Sequence, residues 1–340
     1  MKPIILLGCP RDYGGACRES ADAALLWLAH GIPVTVLPLN QERPDNNWPR
    51  ILADHGAKIE PPSLSGIPHW LKDSIVVDFA CERVTRMWPE LKRRGCRLAH
   101  LPCHCAVLPH EHATFRQWPP SAIVCQSEFQ KHVLSLQYSN YGVTNMRVIR
   151  GAFDERFFPY APSQHDGHAF VIGAIGRDDT RKWPARIVKC LRAAKQLVPK
   201  IRARFLGWTP GMERMSGKLP PWINHMAPGR MSSRAFLADC HVLLCFSDYN
   251  ENWPRTTLEG FSSGVPVISD ARGGYCEQIE QGSTGFLAET EDEATGFMAN
   301  LAQDEALRLN IARAANRALP DICPPETIYE DWKALFSSLS

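Results

Sequence analysis

The feature that most constrains this chain is a stretch near its end, residues 247–287, which reads SDYNENWPRTTLEGFSSGVPVISDARGGYCEQIEQGSTGFL. Two carboxylates, Glu251 and Glu259, stand eight positions apart across a Trp-Pro pair. Further on, Gly273 and Gly274 give a backbone that can take unusual φ/ψ values and approach a ligand closely. The stretch therefore combines acids and flexible backbone within one compact segment.

The segment between these features has the pattern of a helix followed by a strand. Thr256 or Thr257 can cap a helix over 257–263, and Gly264 can end it. The apolar run 265–268 is typical of a buried strand. Loop, helix, strand and glycine-rich loop together predict half of an α/β nucleotide site. In such a site acids meet hydroxyl groups and a helix N-terminus meets phosphate.

The spacing of the acids, glycines and proline in this stretch resembles the donor site of retaining GT-B glycosyltransferases of family 4. Their pattern is E-x7-E, then G-x-P-V-I, then G-G-x-x-E-x-I-x-x-G-x-x-G. In this chain it is matched by Glu251, Glu259, Gly264, Pro266, Gly273, Gly274, Glu277, Ile279, Gly282 and Gly285. The resemblance implies two Rossmann-like doubly wound α/β domains facing a cleft. It also implies sugar transfer from a nucleotide diphosphate sugar, of UDP or GDP type, to an acceptor hydroxyl with retention and without a metal or cofactor.

Composition fits this class and excludes others. The 340 residues are 44% hydrophobic and 22% charged, as expected for about two globular domains. A net charge of +2 gives no bulk electrostatic reason to expect nucleic-acid binding. The twelve cysteines are scattered and the N-terminus lacks a secretory pattern, so we expect reduced thiols in the cytoplasm. No apolar stretch is long enough to span a bilayer, and peripheral contact at the inner membrane face stays open.

Strand-like and helix-like segments alternate along the whole chain, which predicts a doubly wound sheet in each half. The predicted strands are 3–7, 33–37, 74–79, 97–101, 123–125, 146–149, 169–175, 201–206, 241–246 and 265–268. The predicted helices are 20–30, 82–94, 127–136, 183–197, 291–303, 306–319 and 324–339, besides 257–263. Residues 40–68 are rich in proline and carry no clear prediction.

The domain boundaries follow from the segment 151–167, which is rich in residues that interrupt helices and strands. We predict an acceptor-binding domain over 1–160 and a nucleotide-sugar-binding domain over 161–320. The tail 321–340 is predicted to form a helix that, by the resemblance, packs back toward the first domain.

A second motif follows the first strand of the second half. Gly176 precedes Arg177 and Lys182, two cations five positions apart that can converge on a diphosphate, Arg as a fork and Lys as a point charge. The alternative is a pair of solvated surface cations. The resemblance to the family's G-R-x4-K motif favours the phosphate role. Asp178 and Asp179 are interpreted as a solvated rim of this loop and not as metal ligands.

The resemblance also assigns roles around the two glutamates. Glu259 is expected to bind the ribose hydroxyls and Glu251 to face the donor sugar, with Thr256 and Thr257 at the helix start beside the donor. The alternative for Glu259 is an exposed acid that the dipole of the helix N-terminus favours. The alternative for Glu251 is a solvated side chain in a loop.

This chain departs from the family directly after Glu251. The family has Gly-Phe-Gly where this chain has Asn252, Trp253 and Pro254. Pro254 lacks an N–H, whereas Asn252 and Trp253 keep theirs as donors to phosphate or sugar. Arg255 adds a charge at a position that is usually apolar.

In the first half, Gly14 and Gly15 follow the first strand. They resemble the family's glycine-rich loop, which lies across the cleft beside the diphosphate and the acceptor. Arg11 and Arg18 flank the pair and can bind an anionic group. A plain turn is the alternative interpretation.

Cysteines and histidines crowd one segment, at Cys96, His100, Cys103, His104, Cys105, His110 and His112. A zinc site is one interpretation, but paired C-x2-C units are lacking. The family places a histidine just after a strand, against the donor sugar. His104 fits that position better than His100, which would lie within the strand as a core histidine.

The resulting hypothesis is a glycosyltransferase in which Arg177, Lys182, Glu251 and His104 act on the donor. The acceptor is a saccharide, a lipid-linked molecule or another hydroxyl compound. Two alternatives stay open: a sugar-nucleotide epimerase or hydrolase on the same fold, and a sugar-nucleotide-binding protein without activity. A dehydrogenase is disfavoured because G-x-G-x-x-G is missing at both strand ends.

Overall fold

The structure is a computed structural model, and it describes residues 2–10, 14–39, 46–62, 66–79, 82–164 and 167–340, without the side chains of residues 215–216. The chain forms two compact units. The first unit comprises Met1–Phe153 and Cys323–Ser340, and the second comprises Asp154–Ile322. The sequence prediction sets the corresponding boundaries at residues 160 and 320.

The first unit contains a parallel sheet of seven strands in its described ranges. These are β1 (Ile4–Leu7), β2 (Val34–Leu37), β3 (Lys58–Ile59), β4 (Ile75–Phe79), β5 (Arg97–Leu101), β6 (Ala122–Cys125) and β7 (Met146–Val148). Their order is β3-β2-β1-β4-β5-β6-β7. All four residues of β1 are buried, as expected for a strand covered by helices on both faces.

Helices connect these strands. They are α1 (Gly15–Ala29), α2 (Trp48–Asp54), α3 (Glu82–Arg93), α4 (Pro109–Phe115) and α5 (Glu128–Ser139). Ser127 caps α5, because its hydroxyl oxygen accepts the Gln130 N–H at 3.0 Å. Pro89 lies within α3 without ending it. The core beneath the helices is built from aromatic and aliphatic side chains such as Trp88, Leu98 and Ile123.

The second unit repeats the architecture with a parallel sheet of six strands in the part that the structure describes. These are β8 (Phe170–Ile175), β9 (Ile201–Leu206), β10 (Ile223–Met226), β11 (Val242–Cys245), β12 (Val267–Asp270) and β13 (Phe286–Ala288). Their order is β10-β9-β8-β11-β12-β13. The direction of winding therefore reverses between β8 and β11, as it does between β1 and β4 in the first sheet. Such a switch point is where ligands bind in open α/β sheets.

The helices of the second unit are α6 (Ala185–Leu197), α7 (Pro210–Ser216), α8 (Ser233–Leu237), α9 (Arg255–Ser263), α10 (Tyr275–Gln278), α11 (Glu291–Gln303) and α12 (Glu305–Ile322). The helices α6 and α11 pack on each other, and α12 packs on α9. Thr290 caps α11 in a capping box with Glu293, whose carboxylate accepts the Thr290 N–H at 3.3 Å.

The last helix, α13 (Pro325–Leu339), belongs to the first unit. It packs against α1, where Trp27 meets Trp332 at 4.8 Å and Phe336 at 5.4 Å between ring centres. All three side chains are almost fully buried. No helix in the described ranges is long and apolar enough to cross a bilayer.

The structure corrects the prediction around α9. The helix begins at Arg255 with Pro254 as its N-cap, so the prediction of Thr256 or Thr257 as N-cap is wrong. Pro254 has the fixed φ that suits this position, and its carbonyl accepts the Thr257 N–H at 3.3 Å. The predicted end at Gly264 is confirmed, with Gly264 left-handed at φ 79°. Val265 then donates its N–H back to Gly260, so β12 begins two residues later than expected.

Candidate functional site

The switch point of the second sheet brings two loops together. One loop, 176–182, leaves β8, and the other, 247–251, leaves β11, the neighbouring strand. The Asp248 N–H donates to the Arg181 carbonyl at 2.7 Å and ties the loops to each other. Because parallel strands end at the same edge, the two sequence motifs predicted to bind the donor meet here.

The backbone of the first loop is held by close packing. Gly207 has φ 109°, and a Cβ there would lie 1.7 Å from the carbonyl oxygen of Gly176, so only glycine fits. The indole of Trp183 donates to the Arg177 carbonyl at 3.0 Å. Asp179 accepts the Arg181 N–H at 3.1 Å and caps the turn that leads to Lys182. The positions of Arg177 and Lys182 are thus fixed from both sides of the loop.

Lys182 makes the central ion pair of the site. Its amine donates to the carboxylate of Glu251 and lies 5.1 Å from the ring centre of Tyr249. Burial opposes the charge on Lys182, but the carboxylate of Glu251 and the hydroxyl of Tyr249 outweigh it, and the pKa of Lys182 is raised. Lys182 is therefore a charged ammonium group at a half-buried position.

Tyr249 is a site residue that the sequence prediction missed. Burial opposes the charge on Arg177, but Tyr249, Asp179 and Glu251 outweigh it, and the pKa of Arg177 is raised. The guanidinium of Arg181 lies 5.0 Å from the Tyr249 ring centre. The available signal was an aromatic residue two positions before Glu251, which taken alone indicates packing as readily as binding.

Gly273 and Gly274 pack closely against the backbone of the Glu251 loop. A Cβ at Gly273 would lie 2.6 Å from the Glu251 carbonyl oxygen, and one at Gly274 would lie 2.1 Å from the Asn252 carbonyl oxygen. Gly274 also donates its N–H to the Glu251 carbonyl at 2.8 Å. These glycines let the backbone of the Glu251 loop approach, and so they position Glu251.

A buried acid anchors the start of the same loop. Asp270, at the end of β12, accepts the Ser247 N–H at 3.0 Å and two contacts from Arg186 at 2.9 and 3.1 Å. Arg272 adds a contact at 3.3 Å. Burial raises the pKa of Asp270, although its arginine partners and the Ser247 N–H oppose that shift. No local sequence pattern indicates Asp270 or Arg186, because their partners lie far from them along the chain.

The other predicted donor residues of the second unit lie on or before α9. Glu259 is buried within α9, with 8% of its surface exposed, and Trp253 is also buried. Thr256 accepts a hydrogen bond from the Cys245 thiol at 3.6 Å and is half-buried. Thr257 is fully buried, so of the two threonines Thr256 is the one that reaches solvent. Asn252 is half-buried.

In the first unit, Gly14 and Gly15 form the start of α1. Gly14 is its N-cap at φ 102°, and a Cβ built on either glycine would meet no atom within 4 Å. Arg18 pairs with Asp22 at 2.9 Å and lies over the Trp48 ring. Arg11 lies outside the described residues.

The two candidate histidines differ sharply. His100 lies within β5 and is 1% exposed, and its ring nitrogens contact Asp78 at 2.8 Å and Glu111 at 3.0 Å. Burial opposes its charge, but the two carboxylates raise the pKa of His100 to about 10. It is a core histidine, as expected for a residue inside the strand. His104 follows the strand, is half-buried, and its carbonyl accepts the Gln130 side-chain amide at 3.0 Å.

Among the described residues, no three histidine, cysteine, aspartate or glutamate side chains are arranged to hold a metal ion. In the cysteine- and histidine-rich segment for which a zinc site was one interpretation, Cys96 is buried in the core and His100 is hydrogen-bonded to carboxylates. Asp178 instead accepts the Thr209 hydroxyl at 2.9 Å.

Two Rossmann-like units with these strand orders, and a cationic site at the second switch point, define the GT-B class of glycosyltransferase fold. Residues 160–318 match the family model described as Glycosyl transferases group 1. The matched segment lies within the second unit. A search of curated proteins found no match.

Solved structures show the same fold along the whole chain. HepE of Anabaena, in complex with UDP and glucose, is 17% identical, covers 99% of both chains and has a TM-score of 0.75. A glycosyltransferase of Rickettsia africae is 15% identical, covers 99% of this chain and 98% of its own, and scores 0.73. Sucrose-phosphate synthase of Thermosynechococcus elongatus is 14% identical, covers 100% and 99%, and scores 0.72. At such identities the likeness shows the fold alone.

Proposed function

We propose that this glycosyltransferase moves a sugar from a nucleotide diphosphate sugar, of UDP or GDP type, to an acceptor hydroxyl, with retention and without a metal. The observation that carries the proposal is the convergence of Arg177, Lys182 and Glu251 at the switch point of the second sheet. The HepE structures with UDP and with UDP-glucose support a uridine donor by analogy.

The chemistry explains why cations belong here. Transfer breaks the bond between the anomeric carbon and the diphosphate oxygen, and the bonding electrons stay on that oxygen. Positive groups already fixed beside the departing diphosphate stabilise the transition state more than the ground state. Arg177 and Lys182 supply this charge as side chains, so no step of the proposed reaction calls for a metal ion.

The Lys182–Glu251 ion pair is the part of the site that donor binding changes. In the proposed complex the amine of Lys182 turns to a phosphate oxygen, and the carboxylate of Glu251 is released to accept hydroxyls of the donor sugar. Glu259 accepts the ribose hydroxyls. The acceptor oxygen then bonds the anomeric carbon from the face that the diphosphate leaves, and its proton passes to the leaving phosphate.

The acceptor side is proposed from sequence resemblance. Gly14, Gly15 and His104 belong to it, with His104 against the donor sugar, and the acceptor is a saccharide or a lipid-linked hydroxyl. We propose a cytoplasmic location with peripheral contact at the inner membrane face for a lipid-linked acceptor. Fractionation of cells that express the tagged chain tests this, and a purely soluble pool with a working lipid-linked acceptor would contradict it.

A thermal-shift panel of UDP- and GDP-sugars tests donor binding, because a ligand of the folded state raises the unfolding midpoint by mass action. The selected donor is then incubated with saccharide and lipid-linked acceptors, with and without EDTA, while diphosphate release and product anomer are measured. We expect acceptor-dependent release, unaffected by EDTA, with the donor's anomeric configuration kept. Release without any acceptor would identify a hydrolase, conversion of the donor sugar an epimerase, and binding without turnover a binding protein.

A further inference from the structure

A cavity of about 500 Å³ lies at the carboxyl ends of β11, β12 and β13 in the second unit. Its lining includes Arg186 near the start of α6, Asp270 at the end of β12 and Glu291 at the start of α11. In the described part of the chain, none of the side chains proposed to bind the donor lines it. Its volume is in the range of sites that bind small molecules.

Two groups of the lining have unused hydrogen-bonding capacity. Arg272 donates only through its Nη2, to the Ser247 carbonyl and the Asp270 carboxylate. The Nε and Nη1 of this partly exposed side chain have no partner among the described residues. The exposed carboxylate of Glu289 likewise has no hydrogen-bond or ion-pair partner in the described ranges, and only its backbone N–H is bonded, to Glu293. The cavity therefore offers unused donors and an unused acceptor.

The sheet places these two groups on adjacent segments. Asp270 and Ala288 are partners in the pairing of β12 with β13, and the Ala271 N–H donates to the Ala288 carbonyl at 3.0 Å. Arg272 follows the first segment and Glu289 follows the second. Guanidinium donors and a carboxylate acceptor thus line the same end of the sheet.

The charge of the lining disfavours an anionic ligand. Its ionisable side chains are Arg186, Arg272, Asp270, Glu289 and Glu291. Two cations against three carboxylates leave one negative charge in excess. Two further groups pair with this lining, Asp248 with Arg186 and Lys189 with Glu291, and their charges cancel. The first turn of α11 adds two more acids beyond Glu291, so a phosphate would be repelled where a neutral molecule is not.

Neutral ligands rich in hydroxyl groups suit such a lining. Each hydroxyl both donates and accepts hydrogen bonds, so neighbouring hydroxyls match guanidinium donors that lie beside a carboxylate. Hydrogen bonds to charged groups are also the stronger ones. The cavity adjoins the loop that carries Glu251, because Asp270 accepts the Ser247 N–H at the start of that loop at 3.0 Å.

We propose that this cavity binds a neutral saccharide that is the acceptor of the transfer. Arg272 donates to its hydroxyls and Glu289 accepts from them. The inference rests on the proposed function and deepens it, since it places an acceptor subsite in the second unit. It also narrows the acceptor class from saccharides and lipid-linked compounds to neutral saccharides.

The test measures saccharide binding in the absence of a donor. Ligand-observed NMR titrations of the full chain use glucose, galactose, mannose and maltose, with glucose 6-phosphate as the anionic comparison. We expect a neutral saccharide to bind at millimolar concentrations, and glucose 6-phosphate to bind more weakly than glucose. Glu289→Ala should weaken saccharide binding about ten- to hundredfold. Asp292→Ala, at an exposed acid of α11 that does not line the cavity, is the matched control and should bind within about twofold of the wild type.

Steady-state transfer assays test whether the bound saccharide is the acceptor. With the tightest-binding saccharide and the selected nucleotide sugar, Glu289→Ala should raise the acceptor KM about tenfold or more. The donor KM should stay within about twofold of the wild type. Glu289 gives a cleaner test than Arg272, because Arg272 also bonds Ser247 of the donor loop. An unchanged acceptor KM in Glu289→Ala would refute the acceptor role.

The outcomes separate this inference from the function on which it rests. If the wild type binds UDP or GDP but no neutral saccharide, or if Glu289→Ala binds saccharide as tightly as the wild type, the inference alone is overturned. Loss of saccharide binding in Glu251→Gln but not in Glu289→Ala also overturns it, because the sugar then occupies the donor site. If saccharide binding depends on Glu289 but neither UDP nor GDP binds, the donor site and the acceptor role are both refuted. Unfolding midpoints of all variants verify that each is folded at the titration temperature.

Discussion

Each unit carries a charge cluster near the carboxyl ends of its parallel strands, and the two clusters are built in opposite ways. In the first unit His100 is enclosed by Asp78 and Glu111, and all three side chains are at most 1% exposed. In the second unit Lys182 pairs with Glu251 but keeps 20% of its side chain exposed, and Arg177 is exposed. Both nitrogens of His100 are used by carboxylates, so that cluster is saturated. The second cluster is partly exposed, so it can exchange a partner for a ligand.

We call the fully buried cluster of the first unit closed and the partly exposed cluster of the second unit open. The comparison indicates that an open charge cluster at strand ends can bind a ligand, whereas a closed one stabilises the fold. A buried charge that loses its partner is costly, whereas a half-buried one can be resolvated. Substitutions in the closed cluster should therefore mainly lower the free energy of unfolding, and substitutions in the open cluster should mainly lower turnover.

The largest expected effect is in the open cluster. In the proposed reaction, Arg177→Ala/Lys182→Ala removes two charge-assisted contacts of about 1.5–3 kcal/mol each to the leaving diphosphate. We expect kcat/KM for the donor to fall roughly 10²- to 10⁴-fold in a steady-state assay of diphosphate release. Lys189→Ala/Arg192→Ala, on the exposed face of α6, is the control and should stay near wild type. Normal turnover in a folded Arg177→Ala/Lys182→Ala variant would refute the open-cluster interpretation.

The next effect concerns the closed cluster. His100→Ala leaves two buried carboxylates without their cation, which we expect to lower the free energy of unfolding by about 3–5 kcal/mol. Urea unfolding followed by circular dichroism measures it. His132→Ala, at an exposed histidine on α5, should change stability by less than about 0.5 kcal/mol. A His100→Ala protein as stable as the control would show that the cluster is not closed.

A smaller and two-sided effect is expected at Glu251. Glu251→Gln removes the anion that occupies Lys182, so affinity for the free nucleoside diphosphate should rise a few-fold. Turnover should fall about ten- to hundredfold, because the proposed contact of residue 251 with the donor sugar is weakened. Calorimetry and the turnover assay measure the two quantities, with Glu280→Gln on the exposed surface as the control. Weaker diphosphate binding would show that Lys182 does not exchange partners.

The smallest expected effect is the dependence of stability on pH. The folded pKa of His100 is raised to about 10 from an ordinary 6.5, so its stabilising contribution is complete below about pH 6.5 and is lost as pH rises through 10. The lowered pKa of Glu111 gives the opposite dependence, present above about 4.5 and lost on acidification. The unfolding free energy of the wild type should therefore fall between pH 7 and 10 by at most about 1.4 kcal/mol per unit more than that of His100→Gln. Parallel slopes for the two proteins would contradict this.

The sequence predicts the sheets and the placement of the site motifs well, because apolar periodicity and strand-end glycines are local signals. It could not assign α2 and β3 in the proline-rich region 40–68, and it missed β10, because such short segments become regular only through tertiary pairing. His100 illustrates a second limit. Its partners come from residues 22 and 11 positions away, and spacing alone could not separate a core ion pair from a zinc ligand.

Tyr249 and Asp270 show the same limit within the site. Each belongs to an ordinary residue type at an unremarkable position, and its role depends on which arginine or lysine the fold brings to it. The family motif contains neither residue, so resemblance could not indicate them. Side-chain pairing between two loops depends on the tertiary fold, so the sequence alone does not indicate it.

The contact between Gly273–Gly274 and the carbonyl oxygens of Glu251 and Asn252 has a practical consequence for engineering. The two segments are complementary at the level of main-chain atoms, and so neither can be exchanged for a homologous loop by itself. Chimeras designed to alter donor choice should transplant 247–252 and 271–274 as a single cassette. Grafting only one of the two segments would create clashes between main-chain atoms.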